Sequence, residues 1–433
     1  MSQSKKADNK KQNYVIIGNS AAAVGAIEGI READKDGKIT VISKEPYYAY
    51  SRPLICYLLA GQVKASKMLY RDKDFYKKKK VKTVLGKKAT GLDLEKKAVL
   101  MEDGEKVSYQ KLLISTGGVP FVTPIKGLDN DNVFTFTTWD DAKNLDKLVK
   151  KIKKVVVIGA GLIGMKATEA LHARELDVTV VELADRVLSL ALDKKASDMV
   201  KDQLKEMGIR VFTNNTVVGI TGSGNKVERV ILKDGTTLEC DAVIVAIGVR
   251  PNVELVDGTK IAVNRGIIVD SHMQTSVSHV YAAGDVAEAP ELLAEGNKVI
   301  PIWPGACEQG HIAGCNMAGV EEEYIGALCM NSIEFFGLPT ISVGLANVEG
   351  EEYEVLSKYD QKEKTYKRIV LKDDVVVGAL FVGAIDRAGI YTGLIKERAD
   401  TKNFKKELLS DNFGYVSFPK ELRIKKLQVI EVG

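Results

Sequence analysis

Two glycine-rich turns, about 140 residues apart, have the residue types that hold the pyrophosphate of a dinucleotide. The clearer turn has the pattern G-x-G-x-x-G, with Gly159, Gly161 and Gly164 directly after the apolar run 154–158. In such a turn the first glycine permits a tight bend, the second lets backbone amides approach a phosphate, and the third lets helix and strand touch. The helix that follows adds partial positive charge at its N-terminus. This segment therefore predicts a nucleotide site.

An acidic residue after the second apolar run, 178–181, indicates which nucleotide this turn binds. Glu182 lies about 20 residues beyond the first glycine, the usual spacing for an acid that binds a ribose 2′-hydroxyl. A carboxylate there repels a 2′-phosphate, so the pattern favours NADH and makes NADPH the less favoured ligand. Arg186 leaves NADPH open, because a nearby arginine can accommodate that phosphate.

The first turn keeps only one of the three glycines. Gly18 follows the apolar run 14–17, and Ser20 and Ala23 stand at the second and third positions. Both are small, so close backbone approach is preserved, and the third position also accepts alanine. Glu45 follows the next apolar run and is a plausible ribose ligand. This turn predicts a second nucleotide site.

Three further strand ends carry small or acidic residues. Gly284 and Asp285 end the run 280–283 at a strand-to-helix turn. The other two strand ends carry Thr116 with Gly117, and Gly248. In this order the motifs resemble those of FAD-dependent pyridine nucleotide-disulfide oxidoreductases, over residues 14 to about 345. The resemblance implies that Asp285 binds the flavin ribityl chain and that the other two motifs lie on the connecting strands.

Two more segments are most similar to NADH:rubredoxin oxidoreductases and to the FAD/NAD portion of nitrite reductases. Residues 50–61 resemble their S-R-P-L-x-S-x-x-L-A-G segment beside the isoalloxazine, which implies a phosphate or substrate role for Arg52; the alternative is a surface guanidinium. Residues 303–310 resemble W-P-x-A-x-E-Q-G, at the start of a helix that faces the flavin pyrimidine. The resemblance thus implies that Glu308 and Gln309 are flavin-site residues.

Cys56 has two interpretations. It stands where the family segment has serine, close to the redox cysteine of coenzyme A disulfide reductases and NADH peroxidases, so a thiol near the flavin could attack a disulfide, persulfide or peroxide. The alternative is a small buried hydrophobic residue. The other four cysteines form no C-x-x-C pair, so no redox dithiol is predicted. The odd total of five cysteines argues against a disulfide framework and for a reducing compartment. The four histidines lack ligand spacing, so no metal site is predicted.

Composition indicates a soluble cytoplasmic enzyme. The chain has 433 residues, of which 45% are hydrophobic. It is longer than a domain with a single hydrophobic core, which predicts two or three domains. A net charge of +4 gives no indication of nucleic-acid binding. No apolar run approaches the ~20 residues that span a membrane. The polar, lysine-rich start is expected to be a disordered arm over residues 1–13.

The predicted fold class is α/β. We expect two doubly wound Rossmann-like domains, the NAD domain inserted in the FAD domain, and a C-terminal α+β interface domain that supports a homodimer. The FAD domain is predicted to consist of two segments, at 14–115 and 248–325. The NAD domain is predicted at 116–247 and the interface domain at 326–433.

The predicted reaction carries a hydride from NADH to FAD and electrons onward to an acceptor. The favoured acceptor is a rubredoxin-like protein carrier. The first alternative is a Cys56-dependent coenzyme A disulfide or persulfide reductase, or an NADH oxidase or peroxidase. The second is an electron-input subunit or redox-sensing flavoprotein with low turnover of its own.

Overall fold

The computed structural model describes residues 11–293 and 296–428. Most of the predicted disordered arm lies outside these residues, and Asn13 already begins the first strand. The strands within the described ranges are β1 (Asn13–Ile17), β2 (Lys38–Ser43), β3 (Val81–Leu85), β4 (Ala89–Asp93), β5 (Ala98–Met101), β6 (Lys106–Ser108), β7 (Lys111–Ile114), β8 (Gly118–Pro120), β9 (Val133–Phe134), β10 (Lys154–Ile158), β11 (Asp177–Val181), β12 (Arg210–Phe212), β13 (Val217–Thr221), β14 (Arg229–Leu232), β15 (Thr237–Glu239), β16 (Ala242–Val245), β17 (Val249–Pro251), β18 (Ile267–Ile268), β19 (Val280–Ala282), β20 (Ala287–Pro290), β21 (Asn297–Lys298), β22 (Met330–Phe335), β23 (Leu338–Gly344), β24 (Glu354–Asp360), β25 (Thr365–Lys372) and β26 (Val375–Val382).

The helices in the same ranges are α1 (Ala21–Ala33), α2 (Ile55–Leu59), α3 (Phe75–Lys78), α4 (Trp139–Val149), α5 (Leu162–His172), α6 (Lys194–Glu206), α7 (Trp303–Met317), α8 (Ala388–Lys396) and α9 (Lys420–Gln428). Short 3₁₀ turns cover Arg52–Leu54, Ala65–Lys67, Glu254–Val256, Lys405–Glu407 and Tyr415–Ser417. No helix among the described residues is long and apolar enough to cross a membrane.

The chain forms two compact units. The first contains the segments up to Ser51, Ala65–Val119 and Val249–Ala327. The second contains Arg52–Lys64, Pro120–Gly248 and the chain from Leu328 onward. The predicted α/β class is confirmed, with one nucleotide-type domain inserted in the other. The residue-level domain boundaries stay a prediction.

A parallel five-stranded sheet organises the first unit, in the order β19-β7-β1-β2-β3. Its central strands are buried along most of their length, as their continuous apolar sequences require when helices or other elements cover both faces. The carboxyl ends of parallel strands meet at one edge of the sheet. That edge carries the motifs that the sequence analysis identified in this unit.

Helices α1 and α7 of the first unit pack unusually closely through glycines. A Cβ atom on Gly25 or Gly29 of α1 would lie 2.2 or 2.3 Å from a backbone oxygen of α7. Conversely, a Cβ atom on Gly310 or Gly314 of α7 would lie 2.0 or 2.4 Å from a backbone oxygen of α1. A side chain at any of these four positions would push the helices apart.

The second unit has its own parallel sheet, in the order β12-β11-β10-β16-β9, and a small antiparallel sheet β13-β14-β15. Its C-terminal region is an antiparallel sheet in the order β22-β23-β26-β25-β24, with α8 packed on β26. A buried contact joins the two regions of this unit, because the Tyr366 hydroxyl donates a 2.6 Å hydrogen bond to Asp193, which also caps α6.

Candidate functional site

In the first unit, three turns gather at the carboxyl ends of the adjacent strands β1, β7 and β19. Gly18 follows β1, Thr116 and Gly117 follow β7, and Gly284 with Asp285 follows β19. Ligands of doubly wound α/β domains bind in the crevice outside this edge of the sheet. The structure thus brings together motifs that are between 98 and 267 residues apart in the chain.

The turn after β1 explains the one retained fingerprint glycine. Gly18 has φ +111°, and a Cβ atom on it would lie 2.0 Å from the Ser115 backbone oxygen. Ser20 is the extended N-cap of α1, and among the described residues its side chain makes no capping hydrogen bond. Ala23 is fully buried, so a small residue is needed there. The turn therefore retains the backbone shape that exposes a helix N-terminus to a phosphate.

Glu45 lies just beyond β2, which pairs with β1. Its carboxylate accepts a 2.6 Å hydrogen bond from the Tyr50 hydroxyl, and its backbone amide donates to Ser43 Oγ over 3.2 Å. In dinucleotide-binding domains, an acidic residue that follows the second strand accepts a hydrogen bond from a ribose hydroxyl. The position fits the predicted ribose contact.

Gln309 connects the middle of α7 to the turn that carries Asp285. Its Oε1 accepts a 2.8 Å hydrogen bond from the Gly284 amide, and its Nε2 donates to the Tyr324 hydroxyl over 3.2 Å. The side chain is buried, with 3% of the residue exposed, so its polar atoms are engaged within the protein. By contrast, Glu308 is exposed. We infer that Gln309 positions the Asp285 turn.

The Thr116–Gly117 turn is tied to the chain segment that returns to the first unit. Thr116 Oγ1 donates to the Asn252 backbone oxygen over 2.8 Å, and the Asn252 amide donates to the Gly117 oxygen over 2.8 Å. Gly117 has φ +69°, a conformation that favours glycine. Thr116 and Gly117 therefore fix the path of the chain between β7 and β8.

In the second unit, the three fingerprint glycines have different reasons to be glycine. A Cβ atom on Gly159 would lie 2.4 Å from the Ala246 oxygen, and one on Gly164 would lie 2.0 Å from the Gly159 oxygen. For Gly161, nothing lies within 4 Å of that position, and its backbone is extended. The fold itself therefore requires two of these glycines. Gly161, the middle glycine of the motif, instead leaves an open space at the N-cap of α5, and this space fits a dinucleotide pyrophosphate.

Glu182 follows β11, the strand beside β10. Its two carboxylate oxygens accept hydrogen bonds from the backbone amides of Ala160, over 2.5 Å, and Ala184, over 2.7 Å. These bonds hold the carboxylate against the glycine turn. Arg186 Nη1 pairs with Asp185 over 2.9 Å, so its charge is partly neutralised where a 2′-phosphate would need it. Gly248 lies between β16 and β17 and is the last residue of this segment of the second unit. Its φ of +126° is a conformation that favours glycine.

Cys56 lies in the short helix α2 of the second unit and is buried, with 6% exposed. Its Sγ donates a 3.2 Å hydrogen bond to the Pro53 oxygen. Burial raises the pKa of the Cys56 thiol, against a smaller opposing effect of Lys166. Arg52 Nη1 donates to the Thr137 oxygen over 3.1 Å. The Cys56 thiol is therefore protonated at neutral pH. The Arg52 guanidinium is engaged with the backbone just before α4.

Glu32, His311 and Cys315 of the first unit form a cluster that the sequence analysis missed. Their ligand-type atoms all lie within 4.8 Å of one another. Burial, together with the carboxylates of Glu322 and Glu32, raises the pKa of the Cys315 thiol to about 11. The H-x-x-x-C spacing was a signal, because residues four apart share a helix face, but Glu32 is too distant in sequence to be inferred.

Comparison with known proteins identifies the family. The model described as pyridine nucleotide-disulphide oxidoreductase matches residues 12–310, and the one described as rubredoxin NAD+ reductase C-terminal domain matches residues 330–399. The chain belongs to the pyridine nucleotide-disulphide oxidoreductase family. The predicted cofactors FAD and NADH are confirmed at the level of this family, and the chain is an FAD-dependent NAD(P)H oxidoreductase.

Two relatives cover most of this oxidoreductase. The epsilon subunit of the NADH-dependent phenylglyoxylate dehydrogenase of Aromatoleum evansii is 36% identical over 89% of this chain and 92% of that subunit. The NAD(P)H nitrite reductase of Bacillus subtilis is 32% identical over 92% of this chain and 48% of that protein. The chain therefore spans about half the length of the second relative, as the resemblance to its FAD/NAD portion predicted.

Two solved structures have the same fold. The NAD-dependent persulfide reductase of A. fulgidus superposes with a TM-score of 0.84 at 28% identity, covering 91% of this chain and 78% of that one. The NADH:rubredoxin oxidoreductase of Clostridium acetobutylicum superposes with a TM-score of 0.75 at 26% identity, covering 92% and 98%. The roles of individual site residues stay predictions.

Proposed function

We propose that this NADH oxidoreductase passes its electrons to a small iron-sulfur carrier protein of the rubredoxin type. The observation that carries the proposal is the match of residues 330–399 to the rubredoxin NAD+ reductase C-terminal domain, joined in one chain to the oxidoreductase core. FAD, when bound, accepts the hydride of NADH and releases electrons singly, which is the step that such a carrier needs.

Each unit supplies residues for one nucleotide. Gly161 and Glu182 hold NADH in the second unit, where Gly159 and Gly164 shape the turn. In the first unit, Gly18, Ser20 and Glu45 hold the nucleotide half of FAD, and Asp285 holds its ribityl chain. Gln309 acts through Gly284, because its side chain is engaged there and with Tyr324. The buried helix contacts make this site rigid, which favours binding without reorganisation.

The surroundings of Cys56 support a protein acceptor over a thiol-based one. A thiolate is the reactive form of cysteine, and low pKa and partial exposure mark reactive thiols. Cys56 has the opposite properties, since it is buried, donates to Pro53 and has a raised pKa. The other four cysteines have neither C-x-x-C nor C-x-x-x-x-C spacing, which argues against a redox dithiol of that kind in place of Cys56.

Anaerobic NADH titration of wild type and Cys56→Ser tests the proposal. We expect both proteins to bleach the flavin without a long-wavelength band, and to reduce rubredoxin at the same rate. Cys240→Ser, another buried cysteine of the second unit, is the matched control. A band present only in wild type, with turnover of coenzyme A disulfide or persulfide lost in Cys56→Ser, would overturn the proposal in favour of a thiol-based acceptor.

A second candidate is an electron-input subunit of a larger enzyme. The similarity to the phenylglyoxylate dehydrogenase epsilon subunit, over 92% of that subunit, favours it. The acceptor would then be a cluster in a partner subunit. This candidate predicts slow NADH oxidation with free rubredoxin and with small acceptors alike, and co-purification of the native protein with other chains.

We further propose that the protein works in the cytoplasm as a homodimer formed through its C-terminal sheet. The edge strand β24 supports this proposal, because it exposes Val355 and Tyr359 and pairs on one side only among the strands of the described residues. Sedimentation equilibrium measures the mass. A Val355→Lys variant should shift the equilibrium toward monomer, and a monomeric wild type would exclude the dimer.

A further inference from the structure

Three metal-binding residue types converge on the pair of helices α1 and α7. Glu32 lies in the last turn of α1, and His311 and Cys315 are four residues apart on α7. His311 Nε2 lies 3.0 Å from Glu32 Oε2, and His311 Nδ1 lies 3.8 Å from Cys315 Sγ. The ligand atoms of the three residues all lie within 4.8 Å of one another.

The backbone that carries these residues is held rigidly. A Cβ atom on Gly29, three residues before Glu32, would lie 2.3 Å from the His311 oxygen and 3.1 Å from the Cys315 amide nitrogen. The two helices therefore contact each other directly at the cluster. Ligands on rigid helices hold their spacing better than ligands on loops, which favours a metal by reducing the reorganisation needed to bind it.

We propose that Glu32, His311 and Cys315 bind one divalent transition-metal ion of the zinc type. Thiolate and imidazole suit zinc, and three protein ligands with one water complete its tetrahedral shell. Bond lengths of about 2.3 Å to sulfur and 2.0–2.1 Å to nitrogen imply a sulfur–nitrogen separation of roughly 3.6 Å. The separation of 3.8 Å between Cys315 Sγ and His311 Nδ1 is already close to it.

Loading the site requires two local changes. The Cys315 thiol releases its proton to solvent as the metal–sulfur bond forms, so a bound divalent ion with one thiolate and one carboxylate has no net charge. The Glu32 side chain, which is 63% exposed, turns from the far nitrogen of His311 toward the ion. His311 is partly exposed and gives solvent access to the site, while Cys315 is buried beneath it.

The bound ion clamps the two helices that form the flavin-binding region of the first unit. The N-cap of α1 is Ser20, and α7 carries Gln309. An ion that binds only the folded protein stabilises it by RT ln(1 + [ion]/Kd), so the unfolding temperature rises with the free ion concentration. This effect depends on the folded helix pair and not on the identity of the electron acceptor.

The test uses untagged full-length protein, because a histidine tag would bind zinc itself. After chelator treatment and dialysis, the protein is equilibrated with Zn²⁺, and bound metal per chain is measured by elemental analysis and by calorimetric titration. We expect one ion per chain in wild type and loss of that ion in His311→Ala and Cys315→Ser. Glu32→Gln should weaken binding about tenfold, and Mg²⁺ should not bind, because it prefers oxygen ligands.

His272→Ala is the matched control. His272 lies 4.0 Å from the carboxylates of Glu321 and Glu323 in the same unit but has no thiol partner in this group. The ion should remain bound in this variant. Wild type without stoichiometric zinc, or equal binding in wild type, His311→Ala and Cys315→Ser, would overturn the proposal. If Cys315→Ser fails to fold, unchanged affinity in the exposed-site variants His311→Ala and Glu32→Gln overturns it as well.

Discussion

The hydroxyl of Tyr76 donates a 2.6 Å hydrogen bond to Oδ1 of Asn19, the residue between Gly18 and Ser20 in the first glycine turn. The same hydroxyl accepts a 3.1 Å hydrogen bond from the Ala49 amide. Asn19 also donates to the Tyr47 oxygen over 3.1 Å. One buried tyrosine therefore links the turn after β1 to the loop after β2.

Tyr76→Phe should weaken FAD binding without unfolding the protein. Removing the hydroxyl leaves the Ala49 amide and the Asn19 oxygen without this partner, and an unsatisfied buried polar group costs about 1–3 kcal/mol. Part of that cost falls on the shape of the turn, so we expect the FAD dissociation constant to rise about tenfold, equivalent to ~1.4 kcal/mol. Titrating apoprotein with FAD and following flavin fluorescence measures it.

Tyr48→Phe is the control for this prediction. The Tyr48 ring stacks on Tyr76 at 4.9 Å, but it is 38% exposed and contributes a ring rather than a bond to the turn. FAD binding should stay near the wild-type level. Equal losses in both variants would indicate that the Tyr76 hydroxyl has no specific role in supporting the turn.

Asp285→Ala should give a folded but flavin-poor protein. Asp285 follows Gly284, which has φ +80° and whose amide is held by Gln309, so the turn keeps its shape when the carboxylate is removed. The loss then falls on the cofactor contact. The ratio of flavin to protein absorbance, beside a circular dichroism spectrum, measures it. Full flavin occupancy in a folded variant would contradict the role assigned to Asp285.

Much of the fold could be predicted because its signals are local. The apolar runs that became β1 and β10, each followed by a glycine turn, report a buried parallel strand and its helix within about 15 residues. Glu182 was found for the same reason, since the second strand of the motif has a regular spacing. The predicted acid does lie beside the turn, through its bond to the Ala160 amide.

The contacts that the sequence could not indicate are long-range. His311 meets Glu32 across 279 residues, and Tyr76 meets Asn19 across 57. Gln309 was predicted to be a flavin-site residue, yet its two hydrogen bonds go to Gly284 and Tyr324. A side chain's partners depend on how sheets and helices assemble, and no spacing rule reports that assembly.

Glu182→Ala should weaken NADH binding more than NADPH binding. The wild-type carboxylate is available to a ribose 2′-hydroxyl but repels a 2′-phosphate, so its removal costs NADH a hydrogen bond and relieves NADPH of repulsion. We expect the KM for NADH to rise about tenfold, equivalent to ~1.4 kcal/mol. Initial rates with both nucleotides measure the two effects.

Glu182→Gln separates charge from structure, because the amide oxygen can still accept from the Ala160 or Ala184 amide. Glu182→Gln should likewise remove the repulsion between the carboxylate and the 2′-phosphate of NADPH, while the glycine turn keeps its shape. Equal changes for the two nucleotides in both variants would argue against a ribose contact and for a purely structural carboxylate.

A pair of glycine variants tests whether the second turn binds a nucleotide. Gly164→Ala should destabilise the fold, because its Cβ would lie 2.0 Å from the Gly159 oxygen, a backbone atom that cannot move aside cheaply. Overpacking of this kind costs typically about 1–3 kcal/mol. Gly161→Ala should cost less, because nothing lies within 4 Å of its added carbon and its backbone is extended, so only the preference for glycine over alanine at an N-cap is lost.

NADH affinity should respond in the opposite order to stability. The methyl group of Gly161→Ala occupies the cradle through which backbone amides reach the pyrophosphate, so we expect NADH binding to fall at least tenfold while the unfolding temperature falls less than in Gly164→Ala. Thermal unfolding and NADH titration of the same samples give both quantities. Wild-type NADH affinity in Gly161→Ala would mean that the open side of this glycine faces solvent only, and the nucleotide would have to bind elsewhere in the unit.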